Sequence, residues 1–319
     1  MTVSVKTAIA AAVLATGTAP AAGQVAVEAP GPEGSLIGTF VALAEGKPVV
    51  LVIPGSGPTD RDGNNPMGVT AAPYKLLAEA LAERGIGTLR ADKRGLFASK
   101  AAVADANAVT ISDYVDDVLA WSTLARAVTG RECVWLLGHS EGGLVALAAQ
   151  ERLENICGVV LVAAPARSFG TLLREQLTAN PANAPILADA LSAIDALEAG
   201  ERVDVSGMHP ALQGLFAPQV QGFLIDAMRY DPAAMAAKSS LPILIVQGGK
   251  DIQVPQIDGE LFRTSQPSAR YAVLPDMNHV LKDVPGDDRA ANLAAYGDPS
   301  LPLAQGLVDA IAGFVEGGE

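Results

Sequence analysis

The stretch that most constrains this chain runs from Cys133 through Val-Trp-Leu-Leu-Gly-His-Ser-Glu-Gly-Gly143 into Leu-Val-Ala-Leu-Ala-Ala-Gln150. An apolar run of strand length meets Gly138, Ser140, Gly142 and Gly143, then an alanine-rich segment of helical character. A strand that reverses sharply into a helix forces the residue at the turn into a strained backbone conformation, and side chains two positions to either side would collide there. Glycine at 138 and 142 removes those collisions and leaves Ser140 Oγ exposed at the positive end of the following helix.

The rest of the chain extends this unit. Gln24–Glu28 and Ser35–Leu43 flank a Gly/Pro turn at Pro30–Gly34 and predict an antiparallel hairpin. Val49-Val-Leu-Val-Ile53 is a continuous β-branched run, the pattern of a strand buried on both faces of a parallel sheet. Pro73 starts a helix over Tyr74–Arg84, Gly85 stops it, and Gly87–Asp92 forms the next strand. Thr110 or Ser112 caps a helix running to about Val128, with Val115, Val118, Leu119 and Leu124 as its core stripe. Strands and helices alternate over residues 49–168, which predicts a doubly wound, mostly parallel α/β sheet. Between Phe169 and Ser240 this alternation gives way to helical stretches broken by prolines, so a helical cap is expected over 169–240, within a core of 24–168 and 241–319. Strands resume at Pro242–Gly248 and Arg270–Leu274, and a last helix is expected over Pro302–Glu316.

The N-terminus reads as an export signal over residues 1–23. Lys6 is the only charge before Glu28, Thr7–Thr16 is apolar but too short to span a bilayer, and small residues follow at Ala19, Ala21, Ala22 and Gly23. The expectation is a periplasmic or extracellular protein, cut near residues 21–24, with no stable membrane insertion. At 319 residues the chain can bury a large core, and its net charge of −13 opposes nucleic acid as a partner. Its two cysteines, Cys133 and Cys157, fall near the same end of neighbouring strands if these are parallel, where either a disulfide or two buried thiols fits. No metal- or redox-type cysteine spacing occurs, so no cofactor is expected.

A serine nucleophile needs a base, and a carboxylate to orient that base. Of the three histidines, His139 adjoins Ser140 and cannot turn back onto its neighbour's oxygen, and His209 lies in the insertion between Met208 and Pro210. His279 lies just past the last strand, where open α/β sheets gather their working residues, and is the expected base. Asp251, in Gln247-Gly-Gly-Lys-Asp251 after the preceding strand, is the expected acid; Asp276 shares the short His279 loop and would face the imidazole awkwardly. Two backbone N–H groups should hold the oxyanion: that of Glu141, and that of Ser56 (Gly57 as alternative) in Pro54-Gly-Ser-Gly57. Arg61 and Asp62 read as a pair stiffening that loop, or as substrate contacts, and Asp92-Lys93-Arg94 as loop bracing.

The elbow, acid loop and histidine loop resemble the α/β-hydrolase superfamily over about residues 35–168 and 241–316. More narrowly, Gly55-Ser-Gly-Pro-Thr-Asp-Arg-Asp-Gly-Asn64 with Asp92-Lys-Arg-Gly95 and Asn278-His279 is similar to bacterial serine hydrolases labelled carboxylesterase, feruloyl-type esterase or serine aminopeptidase-like. The resemblance implies an eight-stranded sheet with a cap between the sixth and seventh strands. Pro54 stands where such proteins often have a histidine, which leaves the backbone donors in place. The expected activity is hydrolysis of a small carboxylic ester through an acyl-enzyme. The alternatives are an aminopeptidase or amidase gripping an amino group through Glu175, Glu198 or Glu201, and an inactive hydrolase fold used for binding. Oligomeric state is not legible.

Overall fold

The computed structural model describes residues 23–317; the export segment expected over residues 1–23 falls outside them except for Gly23. The eight strands are β1 (Gln24–Pro30), β2 (Ser35–Val41), β3 (Val49–Ile53), β4 (Gly87–Ala91), β5 (Val134–His139), β6 (Ile156–Val162), β7 (Ile243–Gly248) and β8 (Arg270–Leu274). They form one sheet in the order β1-β2-β4-β3-β5-β6-β7-β8. β1 pairs antiparallel with β2 and β2 with β4, and the remaining ladders are parallel. This is the α/β-hydrolase fold expected from the sequence.

The continuous apolar runs have a direct physical reading. Val49, Leu51 and Ile53 of β3 join the core on one face of the sheet, with helices α2 (Ile111–Thr129) and α3 (Glu141–Arg152). Val50 and Val52 join the core on the other, with α1 (Pro73–Glu83) and the C-terminal helix, Leu307–Gly317. Successive side chains point to opposite faces and both faces are covered, so no polar position remains in the strand. Thr110 caps α2 with a reciprocal capping box to Asp113. In α2 the buried stripe is Val115, Val118, Trp121 and Ala125, whereas Leu119 is exposed, contrary to expectation. The last helix begins at Leu307 rather than Pro302, because Gly306 turns with φ 85° and Ala304 N–H bonds back to the Leu281 carbonyl.

Between β6 and β7 lie α4 (Phe169–Ala179), α5 (Leu187–Glu198), α6 (Pro210–Leu215), α7 (Gln221–Met228) and α8 (Pro232–Lys238). Residues of α4 to α7 form an apolar cluster of their own around Ile194, Leu212 and Phe216. Asp226 of α7 ties it to the body by accepting the Ile111 N–H at the start of α2, at 2.9 Å. After β7 come α9 (Gln256–Ser265) and α10 (Arg289–Ala294), so the C-terminal helix is α11. Cys133 and Cys157 form a disulfide with Cα atoms 5.2 Å apart, at the amino ends of β5 and β6, where a register shift leaves Cys157 unpaired in the ladder. Among the described residues no helix is long and apolar enough to cross a membrane.

Candidate active site

Ser140 has φ 53° and ψ −125°, a conformation side chains rarely adopt, between the end of β5 and the first residue of α3. The flanking glycines are obligatory on steric grounds. A Cβ on Gly138 would lie 2.2 Å from the Gly142 carbonyl oxygen, and one on Gly142 would lie 2.2 Å from that of Ile53. The elbow is therefore wedged between its own flanks and the end of β3.

Asp251 and His279 are brought together: Asp251 Oδ2 lies 2.8 Å from His279 Nδ1. The other carboxylate oxygen accepts the N–H groups of Gln253 (2.8 Å) and Val254 (2.9 Å), so the acid is held at both oxygens with its side chain fully buried. Gly248 and Gly249 make the approach possible, since a Cβ on either would lie within 2.3 Å of the Met277 or Pro275 carbonyl oxygen. Asp276 is exposed and accepts no hydrogen bond from His279. Ser140 and His279 line one cavity of about 320 Å³ with Asn65, Met67, Gln253 and Tyr296, and among the described residues around it none is Asp, Glu, Lys or Arg. Within the described residues, no hydrogen bond engages Ser140 Oγ or the backbone N–H groups of Ser56, Gly57 and Glu141. Gly55 packs against the serine, since a Cβ there would lie 3.1 Å from Ser140 Cβ.

His139 is directed elsewhere. Its Nδ1 accepts from the Tyr74 hydroxyl at 2.8 Å and its Nε2–H donates to the His279 carbonyl at 2.9 Å. Burial, and then the neighbouring His279, push its pKa down to about 3. His209 caps α6, accepting the Ala211 N–H at 3.2 Å.

The loop residues are braced differently from the simplest expectation. Arg61 and Asp62 do not pair with each other. The Arg61 N–H donates to Asp92 Oδ1 at 2.9 Å, and Asp62 pairs with the buried Arg90 of β4. Of the three residues after β4, Asp92 holds Arg61 and Ala98, Lys93 meets Glu141 Oε1 at 3.0 Å, and Arg94 forks onto Asp117 and Asp113. Burial, the largest influence, pushes Lys93 down, but the Glu141 carboxylate and Tyr114 together outweigh it and hold it above its ordinary value. The Glu141 side chain thus anchors the start of α3 to the end of β4.

The family described as serine aminopeptidase, S33, matches residues 67–282. The chain belongs to this family of hydrolases. It is 28% identical over 241 residues to esterase EstD of Thermotoga maritima, covering 73% of the chain and 54% of that protein. The chain thus spans about half the length of the curated relative it matches. Est1E from Butyrivibrio proteoclasticus superposes with a TM-score of 0.55 at 16% identity, covering 92% of this chain and 98% of that one. A thermophilic esterase from Thermogutta terrifontis superposes with a TM-score of 0.52 at 20% identity, covering 81% and 92%. At these identities the superpositions speak to the fold alone.

In this S33 chain, sequence reasoning overlooked Tyr74, Asn65, Gln253 and Tyr296. Tyr74 read only as the start of α1, yet it lies in the cavity wall and accepts the Gly55 N–H at 3.1 Å. Tyr296 accepts from Gln253 Nε2 at 2.9 Å, and burial pushes its pKa up to about 12, so it stays a neutral donor. For Asn65 and Gln253 the signal available was polarity in loops after strand ends, which is too common to single them out, and Tyr74 and Tyr296 lie in helical turns with no such signal.

Proposed function

We propose that this S33-family chain hydrolyses small carboxylic esters through Ser140, His279 and Asp251. Ser140 Oγ attacks the ester carbonyl as His279 takes its proton. The amides of Glu141 and Ser56 receive the oxyanion, and His279 returns the proton to the leaving alcohol. Water then releases the acyl group from Ser140 by the same steps in reverse. The observation that carries this reading is the 2.8 Å Asp251–His279 hydrogen bond in the wall of the cavity that Ser140 also lines. The esterase name of the Thermotoga maritima relative supports it. No cofactor is called for.

An aminopeptidase, the activity in the family's description, is the second reading. It asks for a carboxylate to hold a substrate ammonium group. Glu175 and Glu198 are engaged by Arg167 and Arg174, Glu201 is exposed, and the described residues around the cavity carry no such group. That favours the ester. Purified protein should hydrolyse p-nitrophenyl acetate far faster than alanine p-nitroanilide, and Ser140→Ala should lower ester turnover roughly 10⁶-fold. Undiminished turnover in that variant would overturn the mechanism, faster arylamide cleavage would favour the second reading, and no labelling by a fluorophosphonate would point to an inactive binding protein. The same proposal takes 169–240 as a cap over the core and residues 1–23 as a cleaved export signal, which N-terminal sequencing of the secreted product tests.

A further inference from the structure

Tyr74 and His139 have no part in the chemistry proposed above, yet they join the two backbone segments on which it depends. Three hydrogen bonds run in file: Gly55 N–H to Tyr74 Oη (3.1 Å), Tyr74 O–H to His139 Nδ1 (2.8 Å), and His139 Nε2–H to the His279 carbonyl (2.9 Å). The two ends dictate every proton. The Gly55 N–H can only donate and the His279 carbonyl can only accept, so the hydroxyl and the imidazole must each pass one bond along. His139 is thereby confined to the neutral Nε2–H tautomer, and its burial, with 5% exposure, keeps it uncharged. Its ring also sits between the others, with centroids 5.4 Å from Tyr74 and 4.8 Å from His279.

The termini of this file matter. Gly55 opens the loop whose next two amides, at Ser56 and Gly57, have no partner among the described residues, and it packs against Ser140. The carbonyl at the other end belongs to the residue whose imidazole is tied to Asp251. A displacement of about 1 Å in such an arrangement costs on the order of 10²-fold in rate. Buried hydrogen bonds in series also polarise one another.

We propose that Tyr74 and His139 are positioning residues that set the spacing between the oxyanion loop at Gly55–Gly57 and the backbone of His279. This rests on the Ser140–His279–Asp251 reading. Through this link, the residue before the nucleophile holds the base and the oxyanion donors in one frame, and a displacement at either end is resisted by the other.

The test is a double-mutant cycle of Tyr74→Phe and His139→Phe, with His139→Gln as the conservative variant, on p-nitrophenyl acetate. Turnover is referred to the amount of folded protein, measured by the cooperative urea-unfolding amplitude of each variant, so that misfolded molecules do not count. The expected result is a fall in kcat per folded molecule of about tenfold for Y74F and on the order of 50-fold for H139F, with KM within threefold of wild type. The double variant should be no more than about threefold below H139F, because a file cut once has little left to lose. H139Q, which restores a donor towards the His279 carbonyl, should recover a large part of the loss. The proposal is overturned by H139F turning over within threefold of wild type per folded molecule, by effects of the two substitutions that multiply, or by H139Q no better than H139F. Failure of the triad reading looks different: Ser140→Ala keeps its turnover, whatever the His139 variants do.

Discussion

His139 illustrates how one residue's surroundings decide its chemistry. It sits beside Ser140 but its two nitrogens are committed to Tyr74 and to the His279 carbonyl. The unfolded imidazole takes up a proton near pH 6.5, whereas the buried one resists until about pH 3. Between those values the unfolded chain binds more protons, so this residue's contribution to stability is lost as the pH falls, by at most about 1.4 kcal/mol per pH unit. Urea unfolding of wild type and His139→Gln between pH 7 and pH 4 should therefore converge as the pH drops; parallel curves would refute the assignment. Lys93 and Glu141 make the complementary case, a buried pair in which each charge is tolerated because the other is present.

At the scale of elements, the disulfide joins β5 and β6 at their amino ends, while Ser140 sits at the carboxyl end of β5. Replacing both cysteines by serine should lower stability by about 3 kcal/mol, as expected for closing a loop of this size. Ester turnover by the folded fraction should be unchanged, and a denaturant melt paired with a p-nitrophenyl acetate assay checks both. The strands were legible because a doubly covered sheet leaves runs such as Val49–Ile53 no polar position. The meeting of Asp251 with His279 was legible because strand ends converge at the carboxyl edge of the sheet. Leu119 was misread because apolar content outweighed angular position: Trp121 and Ala125 lie on the buried stripe, and Leu119 lies off it. The Tyr74–His139 and Lys93–Glu141 contacts join residues 65 and 48 positions apart. No local pattern encodes such contacts, because they arise only when β3, β4 and β5 lie side by side.

The whole molecule divides its labour along the strands: Asp251, His279 and, among the described residues, the unpartnered amides of Ser56 and Glu141 gather at one end, and the covalent link secures the other. Stability and reactivity meet at Ser140, whose φ of 53° is a conformation suited to glycine. Holding a side chain there costs on the order of 1–3 kcal/mol, borne by the fold as a whole. Ser140→Gly should accordingly be as inactive as Ser140→Ala but more resistant to urea by roughly 1 kcal/mol, after allowance for the greater freedom of glycine in the unfolded chain. Equal or lower stability of the glycine variant would show that the elbow is relaxed. It follows that a duplicated copy of this chain, freed from selection for turnover, would gain by drifting to glycine at position 140, so the serine's persistence in a lineage would itself record continued use of its oxygen.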